Sequence, residues 1–137
     1  MRAVLDPNVL VSAVLSRSGT PATLLRAWLE GGYELVVSPA LLGEFARVLG
    51  YPKIAKRVSP EEARELLDML RLQAELSQDP DRGPSVRSPD PDDDYLIALA
   101  EAATAVIVSG DSDLLGLADQ IPVYTPAAFQ ALLTQTI

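Results

Sequence analysis

Four short apolar runs, RAVLD, YELVVS, ATAVIVS and IPVYT, alternate along the chain with longer segments whose apolar residues recur at helical spacing. Consecutive apolar residues suit strands buried on both faces, and strands separated by helices pair in parallel through crossovers. The predicted order is β-α-α-β-α-α-α-β-α-β-α. That order describes an α/β fold, a three-layer α/β/α sandwich with a mainly parallel central sheet. The 137 residues fit one domain, 1–137, long enough to bury a sizeable core.

Local signals place the helix boundaries. Thr20 is the expected N-cap of PATLLRAWLE, with Pro21 at N1 and Gly31-Gly32 ending it. Ser38 caps PALLGEFARVL and Gly50 stops it, while Ser59 opens a long helix that the Leu and Met spacing carries through Leu76. YPKIAKRV reads as a basic connector. SQDPDRGPSVRSPDPD, with four prolines in sixteen residues, reads as a loop.

Acidic residues stand where the apolar runs meet the helices: Asp6 after RAVL, Glu44 in SPALLGEF, Asp92–Asp94 before YLIALA, and Asp111 with Asp113 after AVIVSG. Carboxylates at the C-terminal ends of parallel strands converge on the sheet edge that carries the ligand site in open α/β folds. Each acid has a plain alternative. Asp6 and Asp111 are good N-caps, Glu44 suits a surface, and three acids in a first turn complement the helix dipole. All four together on one edge would repel one another, and the expected counterion is a divalent cation rather than a basic side chain.

The net charge of −8 sharpens this picture. Residues 1–87 hold eleven acids and all eleven Lys and Arg, whereas residues 88–137 hold eight acids and no base. Such acidity argues against holding nucleic acid mainly by phosphate neutralisation, and it also serves solubility. The chain has no Cys and no His, which rules out disulfides, thiolate sites and His-based acid–base chemistry. No apolar stretch reaches transmembrane length and the start MRAVLDPN lacks a signal-peptide pattern, so the expected location is cytoplasmic.

Hard cations such as Mg²⁺ and Mn²⁺ take oxygen ligands, often one or two carboxylates with water and substrate phosphate. A His-free acidic cluster on an α/β sheet therefore points to metal-dependent cleavage of phosphodiesters. Asn8 and Ser12, after Asp6, and Ser109, before Asp111, are candidate supporting residues. They suit ordinary helix starts equally well.

VLDPNVLVSA resembles the opening strand of the PIN-domain family, and SPALLGEFARVL resembles the segment carrying its helical Glu. DPDDDYLIALA and VIVSGDSDLL are similar to its third and fourth acidic motifs, in the family's order. The match spans Ala3 to about Thr125 and is nearest to bacterial toxin components of toxin–antitoxin systems related to the VapC ribonucleases. The resemblance implies an endoribonuclease in which Asp6, Glu44, Asp94 and Asp111 hold one or two Mg²⁺ or Mn²⁺ ions. It makes Asp113 a supporting ligand and Asp93 the alternative to Asp94. It implies RNA as substrate, an antitoxin protein as partner, a homodimer, and no membrane. With no base in the C-terminal third, RNA contacts would fall to Arg17, Arg26, Arg47, Lys53, Lys56 or Arg57. Two rival readings remain: a catalytically silent PIN-like binding module, and phosphotransfer through an aspartyl-phosphate at Asp6. The second usually needs an acid where this chain has Asn8, and a Lys on a later strand.

Overall fold

Strand β1 (Arg2–Leu5) forms the middle of the sheet, and its Ala3, Val4 and Leu5 are completely buried. Successive strand residues point to opposite faces, so burial at three consecutive positions requires helices on both sides. The same holds for β2 (Glu34–Val37), where Leu35, Val36 and Val37 are buried, and for Ile107 and Val108 in β4 (Val106–Val108). The structure is a computed structural model and describes residues 1–135.

Among the described residues the sheet has five strands, in the order β3 (Glu75–Leu76), β2, β1, β4 and β5 (Val123–Tyr124), and every neighbouring pair is parallel. The chain leaves β1 through α1 (Pro7–Leu15) and α2 (Thr20–Leu29) to reach β2 on one side. It reaches β4 on the other side through α6 (Asp94–Ala103), and β5 (Val123–Tyr124) lies beyond β4. The order therefore reverses at β1, and the crevice between the C-terminal ends of β1 and β4 is the topological switch point.

Two features depart from the sequence-based expectation. The long helix α5 (Pro60–Gln73) stops before Leu76, because Ala74 is extended and Glu75–Leu76 forms a fifth strand, β3. That strand exists through pairing with Val36 and Val37, a non-local contact that the Leu spacing cannot report. The basic connector contains one helical turn, α4 (Pro52–Ala55), started by Pro52. A smaller shift puts Thr20 inside α2, with Gly19 as the residue before it.

Elsewhere the local signals act as expected. Ser38 caps α3 (Pro39–Leu49) by accepting from the Leu41 amide, and Ser59 with Glu62 forms a reciprocal capping box on α5. The proline-rich segment is irregular and pinned: Ser77 donates to the Val37 carbonyl, and Ser85 donates through both amide and hydroxyl to Glu101. Among the described residues no helix is long and apolar enough to cross a membrane.

After the short helix α7 (Ser112–Leu115), helix α8 (Pro126–Gln135) closes the core with Phe129, which is fully buried and meets Tyr33 edge-on at 5.1 Å. The Tyr33 hydroxyl donates to the Leu24 carbonyl at 2.8 Å, so one aromatic pair ties α8, α2 and the start of β2 together. Phe129→Ala is expected to cost about 3–5 kcal/mol through lost burial and a residual cavity. Urea unfolding measures it, and a cost near zero would show that α8 does not close the core.

Candidate metal centre

Asp6 follows β1 directly and is 5% exposed, an unusual place for a carboxylate. Its backbone amide continues the ladder to the Val108 carbonyl at 2.9 Å, which fixes it beside the end of β4. One carboxylate oxygen accepts from the Asn8 amide at 3.0 Å and so caps α1; the other accepts from the Ser109 hydroxyl at 2.8 Å. The same Ser109 oxygen accepts from the Asp111 amide at 3.0 Å. A single buried hydroxyl thus links the acid after β1 to the turn after β4. Burial pushes the Asp6 carboxyl up, the Asn8 and Ser109 hydrogen bonds pull it down, and the Asp111 and Glu44 charges push it up again.

Asp93 completes the group from a different direction. It ends a 3-10 turn, Pro91–Asp93, that precedes α6 and is itself capped by Asp90 accepting from the Asp92 amide. Burial pushes its carboxyl up to about 7, helped by a shared proton with Asp111 and by the Asp111, Asp90 and Asp6 charges. Its Oδ2 is buried with no hydrogen-bond partner among the described residues. Asp90, Asp93 and Asp113 also present carboxylate oxygens that all lie within 4.8 Å of one another.

The structure places the two candidates Asp94 and Asp93 differently. Asp94 Oδ1 accepts from the Ser88 amide at 2.9 Å, and Oδ2 faces Arg87 at 3.3 Å, so this carboxylate ties the preceding loop to α6. Asp94 opens α6 and keeps its register with Ile97 and Ala98, but its carboxylate is taken up by the Ser88 amide and Arg87 of the preceding loop. It is Asp93 that lines the cleft with Asp6.

Glu44 lies on α3, half-buried, and lines the cleft, but both its oxygens are held by Arg47 one turn along. The cluster therefore has basic neighbours, Arg47 and Arg87, where the sequence suggests a cation alone as counterion. Two adjoining cavities of about 430 and 570 Å³ share Asp6, Asn8, Asp90 and Asp93 as walls. Ser12 and Asp111 line the first; Glu44, Arg47, Asp92 and Tyr95 line the second. Asp90 escapes the sequence reading, although an Asp before a Pro at a turn start was visible in SPDPD.

The oxygen-only donor set, the orphaned Asp93 Oδ2 and the mutual repulsion fit a hard divalent ion better than any other partner. Asp93 could hold such an ion with Asp90 and Asp113, whose oxygens stand within 4.8 Å of it, and Asp6 and Asp111 line the same cavity, with Glu44 in the adjoining one.

Fold and site together define a parallel α/β domain with an acidic cleft at its switch point. A family model described as the PIN domain matches residues 2–113, and the chain belongs to that family. It is 30% identical over 122 residues to the uncharacterized protein MJ1680 of Methanocaldococcus jannaschii, covering 88% of this chain and 77% of the relative. Among solved structures it is similar to VapBC2 from Rickettsia felis bound to a DNA fragment from its promoter. That likeness has a TM-score of 0.61 at 15% identity, over 91% of this chain and 98% of the other. It is also similar to FitAcB from Neisseria gonorrhoeae, with a TM-score of 0.56 at 15% identity and the same two coverages. PIN domains are typically nucleases, a class that the acidic cluster suits.

Proposed function

We propose that this protein is a Mg²⁺- or Mn²⁺-dependent endoribonuclease, the toxin of a toxin–antitoxin pair. The observation that carries this reading is the meeting of Asp6, Asp93 and Asp111 at the switch point, with Asp93 driven to hold a proton near neutrality. A divalent ion bound there would offset the carboxylate charges, acidify and orient a water, and stabilise charge on a phosphoryl oxygen.

The chain's own residues set the rest of the chemistry. Asp6 is oriented by Asn8 and Ser109 and has no freedom to rotate without losing two hydrogen bonds. Ser109 is fully buried, donating to Asp6 and accepting from Asp111, which leaves it unsuited to act as a nucleophile. With no His or Cys in the chain, direct attack by water and no covalent enzyme intermediate is the consistent course. Asp94 serves as a positioning residue, fixing through Ser88 the loop that delivers Asp93.

The buried, doubly bonded carboxylate of Asp6 speaks against an aspartyl-phosphate at that position, and neither Lys53 nor Lys56 lines the cleft. Support for an antitoxin partner comes from the shared fold with VapBC2 and FitAcB. The homodimer is part of the same proposal.

Sequencing RNA ends after incubating the protein with total RNA and Mn²⁺ or Mg²⁺ tests the reading, with Asp6→Asn as control. New ends that need both the metal and Asp6 are expected. Ends that persist in the Asp6→Asn protein, or no ends at all, would overturn the assignment.

A further inference from the structure

An acidic cleft has a difficulty with RNA that a metal at its floor does not remove: the neighbouring phosphates must also approach a wall of carboxylates. We infer that Arg47 is the phosphate-contacting residue of this cleft, held for that purpose by Glu44 and Tyr51. The inference rests on the nuclease reading and assigns the substrate contact that reading lacks.

Six basic residues were candidates on sequence grounds, and the structure separates them. Arg26 is spent on the Arg17 carbonyl and the Thr23 hydroxyl, and Arg57 donates to the Leu15 carbonyl. Arg17 lines a separate groove with Glu62 and Glu65 and neither cavity of the acidic cleft. Lys53 and Lys56 do not line either cavity of the acidic cleft. Arg47 alone of the six does, sharing that wall with Asp6, Glu44 and Asp93.

Its guanidinium is oriented from two sides. Nε donates to Glu44 Oε2 at 3.0 Å and Nη2 to Oε1, while Nη1 donates to the Tyr51 hydroxyl. The guanidinium carbon also stands 5.5 Å from the centre of the Tyr51 ring. A guanidinium has five N–H groups, so these bonds leave one on Nη1 and one on Nη2. Two donors on adjacent nitrogens of a fixed planar group match two oxygens of a phosphate. The side chain is 59% exposed, so a phosphate can reach it. A plain surface ion pair would explain the Glu44 contact, but not why the one base that lines the cleft among the described residues is also braced by Tyr51.

The test compares wild-type protein with Arg47→Ala and Arg47→Lys, using a labelled single-stranded RNA in Mn²⁺ across a series of salt concentrations. Circular dichroism checks the fold. Arg47→Ala is expected to raise Kd and KM about tenfold, as for loss of one charge-assisted bond, with a much smaller change in kcat. The slope of log affinity against log salt should become shallower by about 1, the signature of one lost phosphate contact. Arg47→Lys should restore the salt slope without the full affinity, since it keeps the charge and loses the fork. Mn²⁺ affinity, read by calorimetry without RNA, should hold or rise because a positive charge has left the cleft. A purely architectural role for Arg47 would instead weaken Mn²⁺ and RNA binding together, and that outcome overturns the inference. Unchanged Kd and salt slope in an active enzyme would overturn it while leaving the nuclease reading intact. RNA binding that depends on Arg47 in a protein that does not cleave would sustain the inference and remove the nuclease reading. Failure of the wild-type protein to bind RNA would remove both.

Discussion

Asp93→Asn is expected to abolish metal-dependent RNA cleavage, while Asp94→Asn, one residue away, lowers the rate by no more than the roughly 10- to 100-fold of a supporting group. The two side chains differ in what they touch. Asp93 lines the cleft and has a buried oxygen with no hydrogen-bond partner among the described residues, whereas both Asp94 oxygens face the loop at Ser88 and Arg87. Loss of a direct ligand should exceed the roughly 10- to 100-fold typical of changes in the groups that support ligands. Stability should move in the opposite sense. Asp93→Asn removes a repelled charge and should raise the melting temperature of metal-free protein. Asp94→Ala leaves the Ser88 amide without its charged acceptor and should cost about 1–3 kcal/mol. Cleavage assays and thermal melts on the three variants decide the matter. Equal loss of cleavage in Asp93→Asn and Asp94→Asn would return the ligand role to both positions.

The second large effect is a dependence of stability on pH that runs against the usual acid-labile trend. Asp93 titrates near 7 in the folded protein against 3.8 in an ordinary Asp, so the folded state holds a proton that the unfolded chain has released. Stability from this group is intact below pH 4 and falls as pH rises through 7. Asp6, also raised, acts in the same direction. Other carboxylates add their own slopes, so the clean measurement is the stability difference between Asp93→Asn and wild type. That difference should be near zero at pH 4 and reach about 1–2 kcal/mol above pH 8, after discounting for the screening of a partly exposed carboxyl. Mn²⁺ should erase it, and Mn²⁺ binding at pH 6 should release protons, seen as buffer-dependent heats in calorimetry. A flat difference across the range would mean that Asp93 is ionised throughout and feels little of its neighbours.

Much of this molecule was readable from local chemistry. The strands β1, β2, β4 and β5 announce themselves by unbroken apolar runs, and Ser38 and Ser59 cap the helices they precede. β3 escaped because two exposed residues, Glu75 and Leu76, become a strand only by pairing with Val36 and Val37. In the cleft, Asp6 and Asp111 followed from strand-end logic, since β1 and β4 deliver them side by side. What Asp94 touches was not legible, because its partners Ser88 and Arg87 come from the irregular loop before the helix and no periodicity places them. The Glu44–Arg47 pair was legible in principle from its i, i+3 spacing. Its position in the cleft depended on how α3 sits against the sheet, and no local pattern carries that.

One serine hydroxyl joins the Asp6 carboxylate to the backbone amide of Asp111 at the ends of neighbouring strands, whereas Asp93 hangs from an irregular span anchored at a handful of points. Insertions or exchanges in residues 77–90 can therefore shift Asp93 relative to Asp6 and Asp111 without disturbing the sheet. Related proteins could in this way retune ion spacing, and with it the choice of metal or cleavage rate, by editing a surface connection alone.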